Sequence, residues 1–326
     1  MKPTISNISI LFVLSLIMGC ERDLDLSKYR DPETEKMLVV NSILNPDSVI
    51  AVSVTNPYFF SQQHLSFQPV LGLDVSISRE SGIWETLKYD SISKTYKSQS
   101  KPQADEILNL KVSGHSQSAF SCDIIPRKVE IEDIQVKGEG PMHIYWDKDY
   151  KFTYKITFHD TPGRENYYFL SVKEDYSGNE FSQMGQIDYS QDYVFQILAN
   201  IINSEMQGWQ PDGGFGYPFS DYGIDGDTYT ITVTETLQNP WTEMIKKLPR
   251  KINLYAISKA YYDYMLSVIA LDYDESSLKG DLLSIGLIEP TPIFSNINGG
   301  TGIMGSYSLF TKRIDLLEIT GGWPKP

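Results

Sequence analysis

The residue best placed for covalent chemistry is Cys20, which follows a short apolar segment at the start of the chain. Lys2 supplies one positive charge, residues 8–17 are apolar and uncharged, and Gly19 stands directly before the cysteine. A charged start, an apolar stretch of about ten residues and a small residue at the cleavage point are typical of a secretory signal peptide. We therefore predict that residues 1–19 are a signal peptide and are removed.

The sequence Ile17-Met18-Gly19 before Cys20 resembles the lipobox of bacterial lipoproteins, in which the cysteine sulfur is acylated. The alternative is an ordinary signal peptide that happens to be followed by cysteine. Two or more acyl chains give stable membrane attachment, because each buried methylene contributes ~0.8 kcal/mol. No other apolar run approaches the ~20 residues of a transmembrane helix. We expect a lipid anchor at Cys20 to be the contact with the membrane.

Residues 20–36 are polar and mostly charged, and we interpret them as a tether behind the lipidated cysteine. Glu21, Asp23 and Asp25 resemble the surface-export signal of Bacteroidetes lipoproteins. The alternative is that these acidic residues only keep the tether solvated. The first interpretation predicts a protein of the outer membrane, exposed at the cell surface, and the second leaves the leaflet open.

The charge of the chain excludes several kinds of partner. The formal net charge is −14, and removal of Lys2 with the signal peptide gives −14 − 1 = −15. A chain this acidic does not bind nucleic acid by counterion release, which needs clustered Lys and Arg. Surface attraction to an anionic bilayer is excluded for the same reason. Cys122, the second of two cysteines, lies in an apolar segment, where we expect it to pack in the core.

The remaining residues of catalytic or metal-binding type do not form a recognisable pattern. The acidic segment 221–227 lacks the spacing and the closing Glu of an EF-hand loop, so we interpret it as a hairpin turn. The four histidines are scattered, whereas zinc needs three or four converging ligands. Residues 300–305 match G-x-G-x-x-G, but the residues that follow are typical of a strand and not of the helix that a dinucleotide site requires. We predict no enzyme, no catalytic residue, no metal and no cofactor.

The elements that carry these residues are mostly β-strands. Apolar residues alternate with polar ones in short segments bounded by Gly, Pro, Asn and Ser, which is the pattern of half-buried strands. Residues 37–127 are therefore predicted to form an immunoglobulin-like β-sandwich. Residues 128–326 are predicted to form a second β-rich domain with one or two helices. The apolar spacing indicates one helix near 257–271 and, less regularly, another over 194–202.

Aromatic residues in predicted loops are the main candidates for ligand contact. Loop aromatics bury a large area with little loss of entropy, which favours them at recognition surfaces. The alternative is that they cover the ends of the sandwiches. Trp241 belongs to the same class, and the principal candidates are Tyr58, Phe59, Phe60, Trp209, Phe215 and Tyr217.

Four ordered segments resemble the Bacteroidetes lipoprotein family known as domain of unknown function 4249. They are Asp160-Thr-Pro-Gly-Arg-Glu-Asn-Tyr-Tyr168, Phe219-Ser-Asp-Tyr-Gly-Ile-Asp-Gly226, Ser258-Lys-Ala-Tyr-Tyr-Asp-Tyr264 and Glu289–Gly305. We number them motifs 1 to 4. The resemblance implies a cell-envelope protein, often encoded beside TonB-dependent outer-membrane receptors, and it implies no catalytic residues. The stretch 191–217 is longer than the family resemblance leads us to expect.

The same phylum resemblance points to two modification sites. Asp47-Ser48-Val49 and Asp90-Ser91-Ile92 resemble the short sites that Bacteroidetes O-glycosylate, at Ser48 and Ser91. Two functional hypotheses follow from the sequence, and a third, a hydrolase, has no supporting residue pattern. The chain is either an accessory, ligand-capturing partner of a TonB-dependent receptor or a structural or adhesion module of the cell envelope. The sequence identifies neither the ligand nor the receptor.

Overall fold

The computed structural model of this protein describes residues 37–57, 68–79, 82–144, 147–175, 183–203, 216–276 and 291–325. Within these ranges the chain forms sixteen β-strands in three sheets, together with three helices. The prediction of a mainly β protein is therefore confirmed.

The first eight strands surround one hydrophobic core. They are β1 (Leu38–Leu44), β2 (Ala51–Thr55), β3 (Asp74–Ser78), β4 (Trp84–Thr86), β5 (Lys88–Asp90), β6 (Thr95–Lys97), β7 (Ile107–Gly114) and β8 (Gln117–Ile124). A four-stranded sheet in the order β4-β3-β7-β8 packs against the sheet that contains β1, β2, β6 and β5. The alternation read from the sequence is confirmed in β7, where Leu108 and Val112 are buried and the residues between them are partly exposed. It is wrong for β3, where Ser76 and Ser78 are buried as well as Val75.

The rest of the described chain surrounds a second core. Its strands are β9 (Ile131–Ile144), β10 (Asp147–His159), β11 (Tyr167–Glu174), β12 (Gln186–Asp188), β13 (Tyr217–Ser220), β14 (Thr228–Leu237), β15 (Pro249–Ile257) and β16 (Gly300–Asp315). Its helices are α1 (Tyr193–Asn203), α2 (Lys259–Ser276) and α3 (Leu316–Ile319). The two helices expected from the apolar spacing are thus present. Over the described residues, no helix is long and apolar enough to span a bilayer.

Strand β16 belongs to both cores. Residues 300–306 pair in parallel with β1, from Leu38 opposite Gly300 to Leu44 opposite Ser306. Residues 307–315 then pair antiparallel with β15. Ile297 and Met304, near the end of the chain, consequently pack in the first core with residues from its beginning. One eight-stranded sheet, β13-β11-β15-β16-β1-β2-β6-β5, therefore runs through both cores.

The glycines of the G-x-G-x-x-G pattern lie within strand β16, where they allow close packing. A Cβ on Gly302 would lie 2.1 Å from the carbonyl oxygen of Val40 on the neighbouring strand. A Cβ on Gly305 would lie 2.9 Å from the Cβ of Tyr261, because helix α2 crosses the strand at that point. The residues after the pattern continue the strand, as the sequence indicated.

The expectation for Cys122 was wrong. The thiol is exposed on the outer face of β8, between the half-exposed side chains of Phe120 and Ile124. The inward-facing positions of this strand are taken by Ala119, Ser121 and Asp123. Ser121 points inward because its hydroxyl donates to the carbonyl oxygen of Asn296, 2.9 Å away. Polar partners on the final segment of the chain thus set which face of β8 is buried.

A buried ion pair connects the two sheets of the second core. Arg250 on β15 and Glu235 on β14 have fully buried side chains. Arg250 donates from Nη2 to Glu235 Oε1 at 2.7 Å and from Nε to Oε2 at 3.0 Å. The Tyr154 hydroxyl and the Gly185 amide also donate to the carboxylate, and Arg250 Nη2 donates to the Gln183 carbonyl oxygen. The pair is therefore well hydrogen-bonded despite its burial.

We expect Glu235→Gln to lower the free energy of unfolding by about 3–5 kcal/mol, because it leaves the buried guanidinium without a counter-charge. Urea unfolding measures this loss. Glu139→Gln is the control, because it breaks an exposed pair with Lys137 and should leave the midpoint unchanged. Equal midpoints for the Glu235 variant and the wild type would contradict the structural role of the pair.

Candidate functional site

A small cavity opens where the two cores meet. It has a volume of about 180 Å³ and is lined by three segments of the chain. They are the connector after β8 (residues 124–129), the turn between β10 and β11 with the first residues of β11 (161–168), and the end of β15 with the start of α2 (256–259). We call this cavity the junction cleft.

Motif 1 forms one wall of the junction cleft, and motif 2 holds it in place. Asp160 accepts hydrogen bonds from the Tyr168 hydroxyl and from the Gly226 amide. Conversely, amides of motif 1 donate to carboxylates of motif 2. Gly163 donates to Asp225 at 3.0 Å, and Asn166 donates to Asp221 at 2.7 Å. Each carboxylate thus binds the backbone of the facing turn. These bonds fix the turn that carries the cleft wall.

Among the described residues, these three carboxylates form the acidic cluster whose geometry most resembles a metal site. Oxygens of Asp160, Asp221 and Asp225 lie within 4.8 Å of one another. Burial raises the pKa of Asp221, and the charges of Asp160 and Asp225 raise it further against the opposing effect of the Asn166 amide. Calcium, by contrast, takes six to eight oxygen ligands. Because protein donors already bind these carboxylates, the group has a structural use without an ion.

Motif 3 forms the opposite wall, and motif 4 packs behind it. Ser258 precedes helix α2, and its Oγ accepts from the amide of Tyr261, 3.3 Å away, as an N-cap residue does. The same Oγ accepts from the Ser306 amide at 3.1 Å, and the Ser258 amide donates to the Ser306 carbonyl. Gly305 lies against Tyr261. The first turn of α2 is thus fixed to strand β16.

Asp123 is a buried acid directly behind the junction cleft. Its side chain is about nine-tenths buried, and its Oδ2 atom has no hydrogen-bond partner among the described residues. Burial raises the pKa of Asp123 to about 6, although the hydroxyls of Ser258 and Ser306 and the Ile124 amide lower it in part. Since Ile124 and Ser258 also line the cleft, a titratable group lies next to the cavity wall.

Three cationic side chains surround the cleft in a chain that is strongly acidic overall. Arg127 and Arg164 both contact the carboxylate of Asp105, with Arg164 at 3.4 Å. Lys259, the first residue of α2, bonds Asp263 at 2.6 Å and lies 6.0 Å from the ring centre of Tyr167. All three cations line the cavity, whereas Asp105 and Asp263 do not. The cleft is therefore lined by three cations whose paired carboxylates lie outside its lining.

Tyr167 connects the two walls of the cleft. Its ring packs on that of Tyr262 of motif 3, with 4.7 Å between the ring centres. Its hydroxyl donates to Glu165 Oε2 at 2.6 Å. Burial and the neighbouring charge of Glu165 raise the pKa of Tyr167, so this hydroxyl stays protonated and remains a donor. The tyrosine thereby holds the one lining carboxylate, Glu165, in a fixed position.

Most of the binding and anchoring residues named from the sequence lie outside the described ranges. These are Cys20, Glu21, Asp23, Asp25, Tyr58, Phe59, Phe60, Trp209 and Phe215. Tyr217 is half-buried in the edge strand β13, with its ring 5.3 Å from that of Tyr189. Trp241 is 63% exposed in a loop. Ser48 and Ser91 are exposed in turns, and Asn45 donates to the Ser48 hydroxyl.

None of the residues that the cleft brings together was predicted from the sequence as a site residue. Arg164 and Lys259 stand within motifs 1 and 3, so the family resemblance marked their segments without giving them a role. Asp160 belongs to motif 1 as well, but its partners Asp221 and Asp225 are sixty residues further along the chain. Arg127 and Asp123 carry no sequence signal of their own. Their positions at the cleft depend on pairing between strands that are far apart in the sequence.

The fold and the cleft define a β-rich protein in which a shared strand joins two cores. A family model described as Domain of unknown function (DUF4249) matches residues 23–313. The chain belongs to this family, as the four motifs indicated. No curated protein matches the chain.

We expect millimolar calcium to leave the thermal unfolding temperature unchanged relative to excess EDTA. The reason is that backbone amides and the Tyr168 hydroxyl already bind the carboxylates of Asp160, Asp221 and Asp225. Differential scanning fluorimetry makes the comparison. A rise in unfolding temperature that Asp225→Asn abolishes would contradict this expectation and establish a calcium site.

Asp123 gives a pH prediction. Its folded-state pKa of about 6 lies above the ordinary aspartate pKa of 3.8, so its protonation stabilises the fold below about pH 4, and this contribution is lost as the pH rises through about 6. Asp123→Asn removes the titration. We expect the variant to gain up to about 3 kcal/mol over the wild type between roughly pH 4 and pH 7. Urea unfolding across this range tests it, and a pH-independent offset would contradict it.

Proposed function

We propose that this chain is a lipid-anchored outer-membrane protein that captures a ligand and delivers it to a TonB-dependent receptor. One observation carries the ligand-capture part of the proposal. Motifs 1 and 3, ninety residues apart in sequence, line the same cleft. Asp221 of motif 2 holds motif 1, and Gly305 of motif 4 together with Ser306 directly after it holds motif 3. In a purely structural module, the segments that resemble the family would not need to meet at one cavity.

The anchoring part of the proposal rests on the sequence around Cys20. An acylated cysteine followed by an acidic tether of about sixteen residues holds the folded body near a bilayer but free to reorient. A fully extended tether of that length reaches roughly 50 Å. This reach allows the folded body to contact an integral receptor beside it. The proposed surface location, Bacteroidetes origin and O-glycosylation at Ser48 and Ser91 follow from the same resemblance.

The competing function is a structural or adhesion module of the cell envelope. The observation that favours it is the outward row Phe120, Cys122 and Ile124 on strand β8, which exposes apolar side chains to solvent. Exposed apolar surface marks a contact between proteins when it forms a continuous patch. An adhesion module would depend on Phe120 and Cys122, which do not line the junction cleft, and would be insensitive to changes at cleft residues other than Ile124, which belongs to both.

Affinity purification from native membranes of the source bacterium tests the proposal. We expect the wild-type chain to fractionate with the outer membrane and to co-purify a TonB-dependent receptor. Cys20→Ser should leave the chain unlipidated, remove it from that fraction and abolish recovery of the receptor. Cys122→Ser is the matched control, because it replaces the only other cysteine and should change neither result.

Two outcomes would contradict the proposal. The anchor is wrong if the Cys20→Ser protein is still processed and still sediments with the outer membrane. The accessory role is wrong if the wild-type chain, shown by mass spectrometry to be acylated, recovers no TonB-dependent receptor.

A further inference from the structure

The ligand of the junction cleft can be characterised from the charges that line it. Arg127, Arg164 and Lys259 are cationic, and Glu165 is the anionic residue of the lining. The lining alone carries 3 − 1 = +2, and Asp105 and Asp263, which contact these cations from outside the lining, bring the total to 3 − 1 − 2 = 0. The whole chain carries −14, so the region of the cleft is less negative than the molecule as a whole. The N–H donors of the three cations favour an anionic group over a cation at this wall.

The cations remain available to a ligand even though each has a carboxylate partner. The side chains of Arg127, Arg164 and Lys259 are 64%, 41% and 62% exposed, and exposed ion pairs contribute only ~0–1 kcal/mol. A guanidinium also has five N–H donors, which a single carboxylate does not saturate. Asp105 holds the two guanidinium groups beside each other without entering the cavity. It positions them as a pair.

Helix α2 adds to this preference for an anion. The helix has eighteen residues and begins at Lys259, so its first turn lies at the cavity wall. The partial positive charge of a helix N-terminus stabilises a nearby anion by ~0.3–1 kcal/mol. This effect is smaller than that of the cationic side chains, but it also favours an anion.

The walls between the charged groups are apolar. Ile124, Pro126, Val129, Ala256 and Ile257 line the cavity together with the ring of Tyr167. A volume of about 180 Å³ equals roughly six water-sized groups, since one water occupies ~30 Å³ in the liquid. The cavity is thus large enough for a short aliphatic chain and too small for a sugar chain or a nucleotide.

We propose that the junction cleft binds a carboxylate carried on a short apolar chain, with the carboxylate against Arg127 and Arg164 and the chain between the apolar walls. A guanidinium pair binds a carboxylate through charge-assisted hydrogen bonds. Glu165 at the same wall repels a doubly charged phosphate more strongly than a singly charged carboxylate. The proposal rests on the ligand-capture function above and names the chemical class of the ligand.

Titration of the mature, full-length chain with straight-chain monocarboxylates tests this assignment. Isothermal calorimetry or NMR shifts give the affinity for each acid from acetate upward. We expect the affinity to rise about fourfold per added methylene and to level off near roughly six carbons, when the cavity is full. The matching primary amides should bind at least about tenfold more weakly, because they lack the charge.

Three variants test, in turn, the cationic side chains, the apolar wall and a residue outside the cavity. Arg164→Gln should weaken binding of every acid by at least about tenfold. Ile124→Ser, at a side chain that is 40% exposed, should leave acetate unaffected and reduce the gain from each methylene. Lys128→Gln is the matched control, since Lys128 is exposed beside Arg127 but does not line the cavity. Its affinities should equal those of the wild type.

The outcomes distinguish this assignment from the proposed function. If no monocarboxylate binds, or if alkyl phosphates bind more tightly than the carboxylates, the ligand class is wrong. The assignment is equally wrong if Lys128→Gln weakens binding as much as Arg164→Gln does. If the acids bind as expected but no receptor co-purifies from native membranes, the site stands and the delivery role fails.

Discussion

Strand β16 is shared by two hydrophobic cores, and this sharing determines where the functional segments lie. Its first half pairs in parallel with β1, the first described strand, and its second half pairs antiparallel with β15. A parallel partner cannot be reached by a tight hairpin, so the intervening chain must fold back before the pairing forms. The first core is complete only when Ile297 and Met304 join it. The beginning and the end of the chain are therefore held together.

The junction cleft is a consequence of this arrangement. The hydroxyls of Ser306 and Ser308 on β16 donate to the carbonyl oxygens of Ile124 and Pro126, which fixes the connector between the two cores. The amide of Ser306 donates to Ser258, which fixes the start of helix α2. The connector and the start of helix α2, two of the three segments that line the cleft, are thus both fixed by strand β16. Asp123 is buried beside Ser258 and Ser306, so an acid with a raised pKa lies among these contacts.

The sequence predicted strands and helices well, but it did not predict which strands pair with each other. Leu108, Leu110 and Val112 alternate with polar residues, and that pattern reports a strand with one buried face, which the structure confirms. The same local pattern contains nothing about which strand lies alongside, so the parallel pairing of β1 with β16 could not be read from it. Cys122 was misplaced for the same reason. The buried face of β8 carries Ser121, whose hydroxyl donates to the distant Asn296 carbonyl oxygen.

The candidate site was predictable only as a set of segments. Motifs 1 and 3 named two of the three segments that line the cleft. Arg127 and Asp123 lie outside all four motifs, and Asp160 and Asp221 approach each other only in the folded chain. The family match supports the segments as a group. Their chemistry, a cleft lined by cationic and apolar side chains in an acidic chain, follows from side chains that only the fold brings together.

The central structural claim is that β16 makes the two cores one cooperative unit with a rigid cleft between them. Native-state hydrogen exchange of the mature chain, with increasing denaturant, tests this most directly. We predict that the amides of β1 and β15 exchange with the same free energy of opening, because both strands depend on β16. If the β1 amides open at a free energy several kcal/mol lower while β15 stays protected, the cores are independent and the account is wrong.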